Sequence, residues 1–199
     1  MADRPTYGSM WPIYAKYWDR MTILPERQNE VRDAVVRILG GKSRYLAVNH
    51  ATSVPWDMTG ALHMRESSCN FSRQLGQGDP LGAVSVHEPK GMGPYLTFEE
   101  SAFDIFARKG YNKILDWRLE KKLYYSENWN GCGYWLYRGN MPSPFLWGAT
   151  NIQKIGKYVA DNKWDPNVWD TQIGVAPVLK LMLEMNVPVK GDIYFKRED

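Results

Sequence analysis

Three carboxylates in this 199-residue chain sit where their surroundings would alter their chemistry. Glu66 follows Met58 and Leu62 at helical i, i+4 spacing, so it falls at the end of an apolar stripe with Ala61 beside it. A carboxyl at the inner edge of an apolar face is costly to ionise. Its pKa should rise, which suits a general acid that must hold a proton near neutral pH. Glu127 repeats the pattern after Leu115, Leu119 and Leu123. Asp79 differs: it lies in a Gly/Pro-rich stretch thirteen residues after Glu66, where it would either position a water or cap the turn Gly78-Asp79-Pro80. The alternative for Glu66 is an ion pair with Arg65, His63 or another basic group at the helix end.

The elements that must position these groups are mostly helical. Ser53-Val54-Pro55 reads as a hydroxyl cap and first-turn proline opening the helix that carries Glu66, with Asp57 near the positive end of its dipole. Upstream, Trp11, Tyr14, Tyr17 and Trp18 predict a short aromatic-faced helix. Pro25 opens a second one, with Val31, Ala34, Val35, Ile38 and Leu39 on one stripe and Gly40-Gly41 at its end, and Lys42 to His50 forms a third. From Ser68 to Leu96 glycines and prolines break the pattern around a strand-like Ala83-Val84-Ser85-Val86-His87. Thr97-Phe98-Glu99-Glu100 is a capping box for a helix running to Gly110, and another follows from Asn112. A last helix spans about 171 to 185, with Pro177 in its first turns or at a kink, and the charged tail after Pro188 should fray.

Composition narrows the function classes. Hydrophobic residues make up 44% of the chain, and no segment approaches the roughly 18 unbroken apolar residues of a membrane span. A balance of 25 basic to 22 acidic residues mildly favours an anionic polymer, but no basic run points to nucleic acid. Nine Trp and twelve Tyr suggest flat stacking surfaces as well as core. No secretory leader is legible after Met1. One domain over residues 1–199 is expected, as a monomer without stable membrane insertion.

Taken together, Arg65-Glu66-Ser67-Ser68-Cys69-Asn70-Phe71 resembles the Glu-Ser motif of the lysozyme superfamily, in particular its phage endolysins and the goose-type lysozyme and lytic transglycosylase branch. Trp129-Asn130-Gly131 resembles that branch's Tyr-Asn-Ala-Gly motif, with Trp in place of Tyr, and the match runs over roughly residues 30 to 185. The branch's Gly-Leu-Met-Gln motif is absent; Gly91-Met92-Gly93 is a poor substitute. The resemblance implies a mainly α, α+β lysozyme-like fold: a helical domain with a small β-hairpin lobe flanking a substrate cleft. It also implies a muramidase that cuts peptidoglycan glycan strands with Glu66 as acid, needing no cofactor and no metal. Asp79 is the first choice for a second carboxylate and Glu127 its rival.

The same resemblance makes Ser67, Asn70, Asn130, Gly131, Tyr134 and Trp147 substrate-binding candidates. Asn130 and the backbone at Gly131 would hold an N-acetyl group or hydroxyl. Tyr134 and Trp147 would stack on sugars or simply fill the core. Such an enzyme would accumulate in the host cytoplasm and reach the wall in the periplasm through a separate, holin-type pore. If the two motifs meet, Cys69 and Cys132 should be close yet reduced. Competing readings are a lytic transglycosylase giving 1,6-anhydro sugars, a zinc amidase built on His63 and Glu66 of one helical face with His87 of the loop, and a silent wall-binding module. No HExxH motif supports the amidase; His63 reads better as a partner near Glu66, and His50 and His87 as ordinary loop or helix-end residues.

Overall fold

The structure, a computed structural model, describes residues 4–187 except 88 and 161. In chain order the helices are α1 (Tyr7–Arg20), α2 (Gln28–Gly40), α3 (Lys42–Thr52), α4 (Trp56–Ser67), α5 (Phe98–Arg108), α6 (Leu119–Trp129), α7 (Gly133–Tyr137), α8 (Pro144–Trp147) and α9 (Val175–Glu184). Between α8 and α9, β1 (Lys157–Ala160) and β2 (Lys163–Asp165) pair antiparallel, with Tyr158 opposite Trp164. The protein is therefore mainly helical with one small two-stranded sheet among the described residues. Among the described residues no helix is long and apolar enough to cross a membrane. The tail after Pro188 lies outside the described residues.

The chain forms two compact units, residues 34–117 and residues 4–33 with 118–187. In the first, α4 is the central element. Every residue from Trp56 to Arg65 is buried, so the apolar stripe expected from Met58 and Leu62 is in fact a helix buried on all sides. Among the polar residues inside it, Thr59 Oγ1 donates to the Pro55 carbonyl at 3.2 Å, and His63 is bonded at both ring nitrogens. Gly60 lets α4 approach the end of α2, since a Cβ there would lie 2.5 Å from Ile38 Cγ2. α5 starts at the expected capping box of Thr97 and Glu100, and Arg44 of α3 forks onto Glu99 at 2.6 and 2.7 Å while stacking on Phe71.

Three sequence expectations are corrected in this unit. Ser53 does not cap α4; it ends α3 in the left-handed region at φ 63°, and Pro55 stands at the N-cap. Ala83–His87 forms no strand, because Ser85 pairs with Met92 and Gly91 through just two backbone bonds, too few for a ladder. The only sheet among the described residues lies instead at 157–165. Leu115 is 95% exposed and not helical: buried Trp117 donates its indole N–H to the Ile114 carbonyl at 3.0 Å, which holds this stretch open ahead of α6.

In the second unit α1 packs on α6, and α8 and α9 join them. The aromatic helix expected near the N-terminus is α1. Its Tyr14 meets Trp147 edge to face at 5.6 Å and Trp135 at 5.9 Å. Across the hairpin Tyr158 and Trp164 converge on Tyr134, and the Arg138 guanidinium lies 4.8 Å over Trp164.

Candidate functional site

Glu66 is the penultimate residue of α4 and half-buried, at the end of that helix where its side chains leave the core. The helix stops there because Ser68 turns left-handed at φ 55° and Cys69 follows at φ 63°, with Ser68 N–H closing on Met64 and Cys69 N–H on His63. Behind Glu66, His63 fixes the exit of the chain. Its Nε2 faces the Asn70 carbonyl at 3.1 Å and must donate, so Nδ1 accepts from the Tyr45 hydroxyl at 2.9 Å. The ring stacks on Phe98 at 4.2 Å, and burial pushes its pKa down to about 4, so it stays neutral. With both nitrogens committed, His63 is an anchor and has no lone pair left for a metal. Among the described residues no group of three His, Cys, Asp or Glu side chains could hold one.

The loop after α4 brings Gly78, the residue before Asp79, against this helix end. Gly78, at φ +68°, approaches so closely that a Cβ on it would lie 3.0 Å from the Glu66 carbonyl oxygen and 3.7 Å from Ser67 Cβ. The loop is stitched in place: Arg73 Nη1 donates to the Gly78 carbonyl at 2.7 Å, Gln74 N–H to the Asp79 carbonyl at 2.7 Å, and Gln74 Nε2 to Pro80 and Ala83. Asp79 is buried, and its carboxylate accepts from His87 Nδ1 at 2.9 Å and Ser85 Oγ at 2.7 Å. Burial works against its charge, but these two donors outweigh it and hold the carboxyl below its ordinary range. Asp79 is thus more than a turn cap.

Ser67 and Asn70 share this unit. The Ser67 hydroxyl is buried without a hydrogen-bond partner, whereas the Asn70 side chain closes its own turn onto Ser72 N–H at 3.0 Å and Oγ at 2.7 Å. Cys69 is half-buried and Cys132 buried, both as free thiols. Burial pushes each thiol pKa up, Cys132 to about 12.

The remaining candidates belong to the other unit, and several need correcting. Glu127 lies on the inner face of α6 with Leu119 and Leu123, as the spacing requires, but it is completely buried. Burial raises its pKa to about 7; the Tyr14 and Ser143 hydroxyls beside it pull the other way, yet neither makes a well-formed hydrogen bond to its oxygens. A substrate cannot touch a side chain at this depth, so in this structure Glu127 stands as a core acid. Trp147 is fully buried, and Tyr134 is buried with its hydroxyl accepting from Tyr158 N–H at 3.2 Å; both are packing residues with no open face for a sugar. Asn130 caps α6 and donates to Ser143 Oγ at 3.3 Å, and Gly131 turns at φ +90° with open space where a Cβ would stand. Its backbone remains accessible.

Sequence reasoning missed Ser85 and treated His87 as an ordinary loop residue. The signal was present in their spacing from Asp79, six and eight residues on, but only the folded loop turns that spacing into hydrogen bonds. No protein-family profile, no curated protein and no solved structure matches this chain.

Proposed function

We propose that this protein is a peptidoglycan glycosidase that cleaves the β-1,4 bond between N-acetylmuramic acid and N-acetylglucosamine, with Glu66 as general acid. The observation that carries the reading is the meeting of the α4 end with the Asp79 loop, Gly78 pressed against the Glu66 carbonyl. One unit then supplies two carboxyl groups in different environments: Glu66 half-buried at the end of a buried helix, Asp79 kept ionised by Ser85 and His87. Two carboxyls with divergent surroundings are what glycoside hydrolysis requires, one giving its proton to the leaving oxygen and the other supporting attack from the opposite side. Lysozyme is itself the type case of this division of labour, and the pattern is borrowed from it.

The resemblance to the lysozyme superfamily makes a phage or prophage endolysin the natural setting and the insoluble wall the substrate. The test is mass spectrometry of sugars released from purified peptidoglycan by the wild type and by Glu66→Gln. Muramyl reducing ends are expected from the wild type, and Glu66→Gln should lose at least a decade in rate, about 1.4 kcal/mol of barrier. Release of 1,6-anhydro sugars would move the reading to a lytic transglycosylase. Free stem peptides without glycan cleavage, or a Glu66→Gln variant of near wild-type activity, would overturn it.

A further inference from the structure

The charged carboxylate of this site is not the part of its own hydrogen-bonded group that solvent reaches. The Asp79 side chain is only 10% exposed, and each of its oxygens already holds a donor, His87 Nδ1 on Oδ1 and Ser85 Oγ on Oδ2. The His87 side chain, by contrast, is 65% exposed. A carboxylate can only accept, so Nδ1 carries a proton toward Asp79 and Nε2 is the nitrogen left to exchange one. A buried carboxylate that fixes the tautomer of an exposed imidazole, and steadies the imidazolium formed later, is a general way of making a histidine a base.

We propose that His87 is the general base that takes the proton of the attacking water, and that Asp79 is a positioning residue acting through it. The inference rests on the glycosidase reading above and deepens it. The water oxygen bonds to the anomeric carbon of the muramyl sugar as one water proton passes to His87 Nε2. The bond from that carbon to the leaving oxygen breaks, its electron pair stays on the oxygen, and that oxygen takes the proton of Glu66. The step leaves an inverted reducing end, a Glu66 carboxylate and a His87 imidazolium paired with Asp79. Transfer of one proton from His87 to Glu66 through solvent restores the starting state.

Glutamine at position 87 separates base from orienting donor, because its side-chain amide can still donate to Asp79 but cannot take a proton. We therefore expect His87→Gln and His87→Ala both to lower kcat on purified peptidoglycan by roughly a hundredfold or more, with KM little changed. Added imidazole should restore His87→Ala by roughly tenfold or more and leave Glu66→Gln unmoved. Nuclear magnetic resonance of the first-formed product should show the inverted anomer. An active wild type with His87→Gln close to it, a His87→Ala variant deaf to imidazole, or a retained product would overturn the base assignment alone. A wild type that releases no muramyl reducing end would overturn both readings. Thermal melting of His87→Gln guards against a folding artefact: a variant that melts with the wild type yet is inactive supports the proposal, and rescue of the alanine variant supports it independently of stability.

Discussion

Glu127 carries a proton that an exposed glutamate would have lost. Folded, it releases that proton near pH 7; unfolded, near its ordinary value of 4.5. Between those values the folded state binds more protons than the unfolded one, so stability is full below about pH 4.5, falls as pH rises toward 7 and levels off above. The span is of order 3 kcal/mol by the usual conversion. Glu127→Gln should flatten that slope and melt above the wild type at pH 8; urea or thermal titrations at pH 5 and pH 8 check it, and an unchanged slope would mean that another group carries it. Because the side chain is fully buried, the same variant should keep most of its activity, while Asp79→Asn should lose several decades; the reverse ranking would return the second role to Glu127. His63, with both nitrogens bonded, predicts that a chelator leaves wall cleavage unchanged, and inhibition reversed by zinc would point to the amidase. Both buried or half-buried glutamates were legible as positions, since i, i+4 spacing from leucine or methionine places a side chain without knowledge of the fold. Their depth was not legible, because a helix pattern does not say how much protein lies over its end.

At the scale of elements, α4 shows what a periodic pattern conceals. Met58 and Leu62 mark one inward face, but Asp57, Thr59 and His63 are equally buried, because neighbours cover every side of this helix. Gly60 carries one close approach among them, with Ile38 Cγ2 2.5 Å and Tyr45 Cε2 3.2 Å from a would-be Cβ. Gly60→Ala should therefore cost roughly 1 to 3 kcal/mol despite alanine's better helix propensity. Circular dichroism melting would show the loss; a gain in stability would mean that α2 and α4 part without strain. Ser53 was misread because serine before a proline-led helix is a common cap, whereas the chain here spends three residues turning from α3 and leaves the cap to Pro55. The Ser68–Leu96 segment is ordered by side chains, Arg73 and Gln74 reaching carbonyls of the loop, and no strand pattern could have announced that.

On the scale of the whole molecule, the two units bury separate cores, so their stabilities need not rise and fall together. Hydrogen exchange on Gly60→Ala should accelerate chiefly for slow amides within residues 34–117; equal acceleration in 4–33 and 118–187 would show one cooperative fold. The units also differ in how the chain supplies them. Residues 34–117 are one continuous run, whereas α1 must wait for α6: the Tyr124 hydroxyl donates to the Pro5 carbonyl 119 residues away. On the ribosome the continuous unit, with Glu66, Asp79 and His87 inside it, can close as soon as it has emerged, while the first helix stays without its partner until most of the chain has been made. The order of synthesis thus assembles these three residues before the other unit can form, and leaves the aromatic face of α1 as the surface in need of protection while translation finishes.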